Sequence, residues 1–140
     1  MTEYKALTCI ELRHGNTGFV TLIDGGSNAS CITLNLVKAL DATKFMNYEE
    51  ISAKSWDNKS CKFIGRVKLK FSIGNIGFCH QFLVAKHLEI GTPAILGLDW
   101  LHTAQANLNH EKDKAYLTLQ KWKTFHTSGK IFHYNFKCVL

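Results

Sequence analysis

The chain has 140 residues, with 17 Lys and Arg against 11 Asp and Glu, a formal net charge of +6 and a single proline. Hydrophobic residues at 46% and charged ones at 20% are the proportions of a soluble globular domain, long enough to bury roughly 70% of the surface its unfolded chain exposes. No segment reaches the ~20 consecutive apolar residues of a membrane span, and the opening MTEYKALTCIEL has no apolar signal core, so a cytoplasmic or nuclear, non-secreted and membrane-free protein is expected.

Period-2 patterning dominates the chain. KALTCIEL (5–12) and GFVTLID (18–24) predict two strands joined by the turn-rich link His14-Gly15-Asn16-Thr17. ASCIT (29–33) predicts a short strand, and TLNLVKALD (33–41) a helix with Thr33 or Asn35 as N-cap and Leu34, Val37 and Leu40 or Leu36 facing inward. Residues 61–73 alternate over Cys61, Phe63, Val67, Leu69, Phe71 and Ile73, and residues 76–84 over Ile76, Phe78, His80, Phe82 and Val84. Two such runs around Gly74-Asn75 predict a hairpin. PAILG (93–97) predicts a buried strand, and LDWLHTAQA (98–106) a helix with Asp99 near its positive end. ANLNHEKDKAYLTL (106–119) predicts a second hairpin turning near Lys112-Asp113, and KIFHYNF (130–136) one more strand. Many short strands with one or two short helices make a mostly-β closed domain.

The five cysteines, Cys9, Cys31, Cys61, Cys79 and Cys138, form no CxxC pair and are odd in number. They are expected to be free thiols of a reducing compartment. Seven scattered histidines offer no close-spaced ligand pair, so neither metal nor cofactor is expected. Positive charge gathers in two places. Residues 121–140 carry Lys121, Lys123, Lys130 and Lys137 and no acid, while Lys54, Lys59, Lys62, Arg66, Lys68 and Lys70 are opposed only by Asp57. Such clusters can hold the phosphates of a nucleic acid, but more often they are solvated strand faces.

One segment carries chemistry. TLIDGGSNASCIT (21–33) runs a β-forming stretch into Asp24, then into two glycines and small polar residues. A carboxylate ending a buried strand is costly without partners. Glycines let the backbone approach closely and aim N–H groups at the acid. Taken alone, Asp-Gly is also a common turn dipeptide. About 70 residues later stands AILGLDWL (94–101).

Together and in this order, LIDGGS and ILGLDWL resemble the two signatures of retropepsin-like aspartic proteases, and most resemble the proteases of gypsy-type retrotransposons. The resemblance covers roughly residues 5–120, leaving 121–140 as a basic extension with one candidate terminal strand. It implies a mostly-β retropepsin-like closed barrel, one half of an acid-protease fold per chain, with a flap hairpin. It implies peptide-bond hydrolysis on an extended peptide or polyprotein. Because Asp-Gly-Gly occurs once, it also implies a homodimer in which Asp24 meets its symmetry mate. Two carboxyls that close share one proton: the charged one draws a proton from water while the other donates to the peptide carbonyl. In that family Gly26 keeps the backbone near the acid, Ser27 takes the small position after it, and Ile95, Leu96 and Gly97 pass beneath the loop. The flap falls on ISAKSWDNKSCKFI (51–64), with its tip near Asp57-Asn58 and Trp56 packing either on substrate or on its own domain.

Gly25 departs from the pattern. The family has Thr or Ser there, whose hydroxyl hydrogen-bonds across the dimer axis. The substitution keeps the acid and removes a brace, which leaves two functions open: an active endopeptidase with a weaker dimer or slower turnover, or a module retained for dimerisation or peptide binding. A role for the basic tail in contacting RNA or an adjoining nucleic-acid-handling domain is a third.

Overall fold

The computed structural model describes residues 2–54, 60–88, 90–111, 114–119, 123–126 and 132–139. Strand β1 (Thr2–His14) turns through Gly15 into β2 (Thr17–Ile23), and β3 (Cys31–Thr33) leads directly into helix α1 (Leu34–Ala39). A 3-10 turn over Thr43–Phe45 follows, then the antiparallel run β4 (Met46–Lys54), β5 (Ser60–Ile73) and β6 (Ile76–Ala85). Strand β7 (Ala94–Leu96) precedes helix α2 (Leu98–Thr103), and the chain ends in β8 (Ala106–Glu111), β9 (Lys114–Leu119), β10 (Lys123–His126) and β11 (Phe132–Val139). Among the described residues, no helix is long and apolar enough to cross a membrane.

The sheet order is β11-β1-β2-β7-β3-β6-β5-β4, with a further pairing of β1 to β5 at Arg13 and Ser72. That pairing joins β1, β2, β7, β3, β6 and β5 into a ring, so the fold is a closed six-stranded barrel with two short helices, as expected. β4 hangs from β5 outside the ring, and β11 lies along the N-terminal half of β1, from Thr2 opposite Val139 to Cys9 opposite Phe132. β8, β9 and β10 form a separate three-stranded sheet.

Side-chain alternation explains the closure. On β5, Phe63, Val67, Leu69, Phe71 and Ile73 are buried while Lys62, Lys68 and Lys70 point to water. Curving this two-faced strand around a core removes its apolar row from solvent at about 25 cal/mol per Å². The main core gathers Val67, Leu69, Phe71 and Ile73 with Leu12, Ile32, Val37, Phe82 and Trp100, while Phe63 packs in a second cluster with Leu22, Cys31 and Ile95. Trp100 is 1% exposed, edge-on to Phe78 at 5.4 Å and tilted against Phe71 at 6.3 Å.

The local signals act as expected at most element ends. The Gly74-Asn75 turn uses a positive φ at Gly74, and the Thr33 hydroxyl caps α1 by accepting from Leu36 N at 3.3 Å. Both helices are shorter than their sequence patterns. Asp41 and Gln105 adopt positive φ (54° and 51°) and end them without the glycine that usually marks such a stop. The 3-10 turn and β10 carry no alternation, and periodicity alone does not find them.

Candidate active site

The loop of residues 24–30 is shaped by topology. β7 lies between β2, parallel to it, and β3, antiparallel to it. The chain leaving β2 must therefore cross over the end of β7 to enter β3. Asp24 starts the crossing: its N–H donates to the Leu96 carbonyl at 3.0 Å, and its carbonyl accepts from Ser27 N at 3.1 Å. The Gly26 N–H donates to Asp24 Oδ1 at 2.9 Å. The carboxylate is thus half-buried and held by the backbone, with Gly25 and Gly26 exposed beside it. A Cβ on Gly26 would lie 3.2 Å from Asp24 Oδ1, tight enough to disturb that contact. On Gly25 a Cβ would meet nothing nearer than Leu101 Cδ1 at 3.9 Å.

The strand that runs beneath the loop has no such freedom. Gly97 is extended (φ −96°, ψ −170°), so space rather than conformation is what restricts this position. A Cβ there would sit 2.6 Å from the Ser27 carbonyl oxygen and 2.7 Å from that of Ala29. The next two N–H groups fasten the loop from below, Leu98 to the Ser27 carbonyl at 2.7 Å and Asp99 to the Asn28 carbonyl at 3.3 Å. Because the obstructing atoms are backbone, Gly97→Ala is expected to destabilise the fold by about 3 kcal/mol, a fall in melting temperature of about 10 °C for a chain of this size. A thermal melt checks it, and an unchanged midpoint would refute the close packing.

A second acid organises the underside of the loop, and sequence reasoning did not assign it this role. Asp99 Oδ1 accepts from Ser30 Oγ at 2.7 Å and from Trp100 N at 2.8 Å, and Oδ2 accepts from His80 Nε2 at 2.8 Å. Fully buried Ser30 in turn accepts from Gly97 N at 3.0 Å. The network joins loop, β6, β7 and α2. Partial burial acts to raise the Asp99 pKa, but the hydrogen bonds from Ser30, His80 and Trp100 outweigh it and hold the carboxyl below its ordinary value. A carboxyl depressed on folding stabilises fully above its unfolded value, near 3.8, and that contribution is lost as pH falls through the folded value. Asp99→Asn is therefore expected to melt below wild type at neutral pH, with the gap closing in strong acid. A gap constant across pH would refute the network's role.

Of the expected flap residues, Trp56, Asp57 and Asn58 lie outside the described residues. The β4–β5 pairing on either side of them is described as far as Lys54 opposite Ser60. Below its base, on the side of β7, a groove of about 960 Å³ is lined chiefly by Phe63, Ala85, Leu88, Ile90 and Ile95, with Glu50 and His87 among its polar members. Ile95 is opposite Leu22 and Cys31, which places this apolar groove two residues along the strands from Asp24. Alternation marks Phe63, and a short unbroken apolar run marks Ile95, as buried; that they also face a groove depends on strand register. Cys31 is no rival nucleophile, since burial first, then the Asp99 and Cys61 charges, push its thiol up to about 12. Burial likewise pushes Cys9 up to about 11. Among the described residues, no His, Cys, Asp and Glu cluster suits a metal ion.

No protein-family model matches the sequence, and no curated protein matches it. Solved structures do match by fold. The retroviral protease-like domain of Ddi1 from Leishmania major superposes with a TM-score of 0.69 at 12% identity, covering 86% of this chain and 93% of that one. A retropepsin-like aspartic protease from Rickettsia conorii superposes with a TM-score of 0.51 at 14% identity, covering 96% and 94% respectively. The fold of this chain is therefore retropepsin-like.

Proposed function

We propose that this chain is an aspartic endopeptidase, of gypsy-type retroelement descent, that cleaves extended segments of its own polyprotein as a homodimer. The observation that supports this reading above others is the half-buried Asp24 carboxylate held by the Gly26 N–H on a loop crossing β7, in a barrel with one such segment per chain. Bringing two copies together across a two-fold axis sets Asp24 beside its mate, where one carboxyl stays protonated. The ionised carboxylate takes a proton from water as it attacks the peptide carbonyl, and the protonated one donates to the developing oxyanion. No metal or cofactor enters this chemistry. Substrate enters as an extended strand, its apolar side chains received by the Phe63–Ile95 groove. Incubation with an unstructured polypeptide across about pH 4–7, with and without a statine-type inhibitor, tests the reading; inhibitor-sensitive cleavage is the expected result.

Gly25 favours one alternative, a retropepsin-like module that dimerises or holds a peptide without turning it over. Peptide binding with no cleavage at high protein concentration is the outcome that selects it.

A further inference from the structure

Away from the candidate active site, the outer wall of the barrel carries a second concavity. A groove of about 570 Å³ opens where the end of β1, the 3-10 turn, β5 and β6 meet, and none of its lining residues belongs to the loop of residues 24–30 or to β7. Lys44, Lys68, Lys70 and His14 line it, with Phe45 and a single acid, Asp41. An adjoining hollow of about 610 Å³ shares His14 and Lys70 and continues toward Arg13, which is paired with Glu11 at 3.1 Å. Ion pairing leaves much of this charge in place. Asp41 reaches only Lys44, at 3.7 Å with both side chains exposed, a weak pair. Arg66, further along β5, is taken by Glu49 at 3.0 Å. No acid lies within ion-pair distance of Lys68 or Lys70 among the described residues.

Two features narrow the partner. Lys68 and Lys70 alternate on one face of a strand, so their stems stand about 6.8 Å apart, close to the spacing of successive phosphates along an extended nucleotide chain. Phe45, in the same groove, is 52% exposed, and the Lys44 ammonium sits 5.4 Å from its ring centre. An exposed aromatic face beside a cation receives a base and its phosphate together, whereas an acidic peptide makes no use of the ring. The exposed ring favours a splayed strand over a duplex, whose bases are stacked on one another and not free to meet it. We propose that this groove binds single-stranded nucleic acid, with phosphates on Lys44, Lys68 and Lys70 and a base stacked on Phe45.

The test is fluorescence anisotropy of a labelled short oligouridylate titrated with the full chain at a series of salt concentrations, a readout that needs no proteolysis and is expected to be the same for Asp24→Asn. Wild type is expected to bind at low salt, with affinity falling linearly on a log–log plot. Lys68→Glu/Lys70→Glu is expected to make that slope shallower by about 0.7 for each phosphate the protein no longer neutralises. Phe45→Ala is expected to weaken binding about tenfold with the salt slope unchanged. Lys68, Lys70 and Phe45 are exposed, and unchanged melting curves verify that the variants fold. Absence of binding at low salt overturns the proposal, as does wild-type affinity in the lysine variant, which would move the binding surface to the basic tail. Polyglutamate competing as well as oligouridylate, with Phe45→Ala without effect, overturns it in favour of an acidic protein partner.

Discussion

Replacing Asp24 by Asn is expected to lower peptide turnover by about a thousand-fold or more, while the melting temperature stays within a few degrees of wild type. The two halves of this expectation come from different atoms of one side chain. Asn keeps the size of Asp and an oxygen where Oδ1 now accepts from Gly26 N at 2.9 Å. The backbone bonds from Asp24 N to Leu96 and from Ser27 N to Asp24 do not involve the side chain at all. The loop therefore keeps its course over β7. What disappears is proton transfer, because an amide oxygen does not take a proton from water in the accessible pH range. Positioned acid–base groups contribute about 10²–10⁴-fold, and in a homodimer one substitution removes both members of the pair. The measurement is kcat/KM on an unstructured peptide, wild type against variant, with circular dichroism on both. Full activity in the variant would transfer the chemistry to another group, and inactivity with a collapsed melting curve would reduce Asp24 to a structural residue.

Much of the barrel was legible because its strands are two-faced. The β5–β6 hairpin could be read from alternation and one Gly-Asn turn, and α1 from its Thr33 cap. What periodicity could not supply was register and contact between distant segments. The ring closes through the Arg13–Ser72 pairing, between residues whose types say nothing of one another. The Asp99 network joins side chains 69 residues apart (Ser30) and 19 apart (His80). In the sequence His80 occupies an inward slot of an alternating strand, and Asp99 looks like a favourable charge at the start of a short helix. Only the fold makes them partners. Hydrogen bonds from Ser30, His80 and Trp100 hold the Asp99 carboxyl below its ordinary value, so its support of the loop persists further into acid than a free carboxylate's would. The basic residues of β5 divide in a similar way, one alternating row split by structure into an ion-paired Arg66 and the groove-facing Lys68 and Lys70.

The glycines of the two motifs show most clearly where sequence and structure part. Gly25 and Gly97 both occur in signature segments, yet a side chain at Gly97 would strike backbone oxygens, while one at Gly25 would make only an ordinary contact with Leu101 at a φ outside the left-handed region. Gly25→Thr is therefore expected to fold normally and to tighten a homodimer about 100- to 1000-fold. Each hydroxyl that finds a partner across the axis adds about 1 kcal/mol net, and each glycine removed relieves about 0.5–1 kcal/mol of backbone freedom. Counted over two subunits this reaches about 3–4 kcal/mol, at about 1.4 kcal/mol per tenfold. Gly25→Ala separates the two contributions, since it stiffens the loop without supplying a hydroxyl and is expected to recover only the smaller share. Sedimentation equilibrium on the three proteins measures the dissociation constants directly. If Gly25→Thr dimerises more tightly and also cleaves faster, the native glycine weakens an enzyme through its dimer. Should it dimerise more tightly and still cleave nothing, the defect lies beyond assembly and the binding-module reading gains. Equal dissociation constants for Thr, Ala and Gly would mean that the loops do not meet at this position, and the face-to-face arrangement of the two Asp24 carboxyls would fail with them.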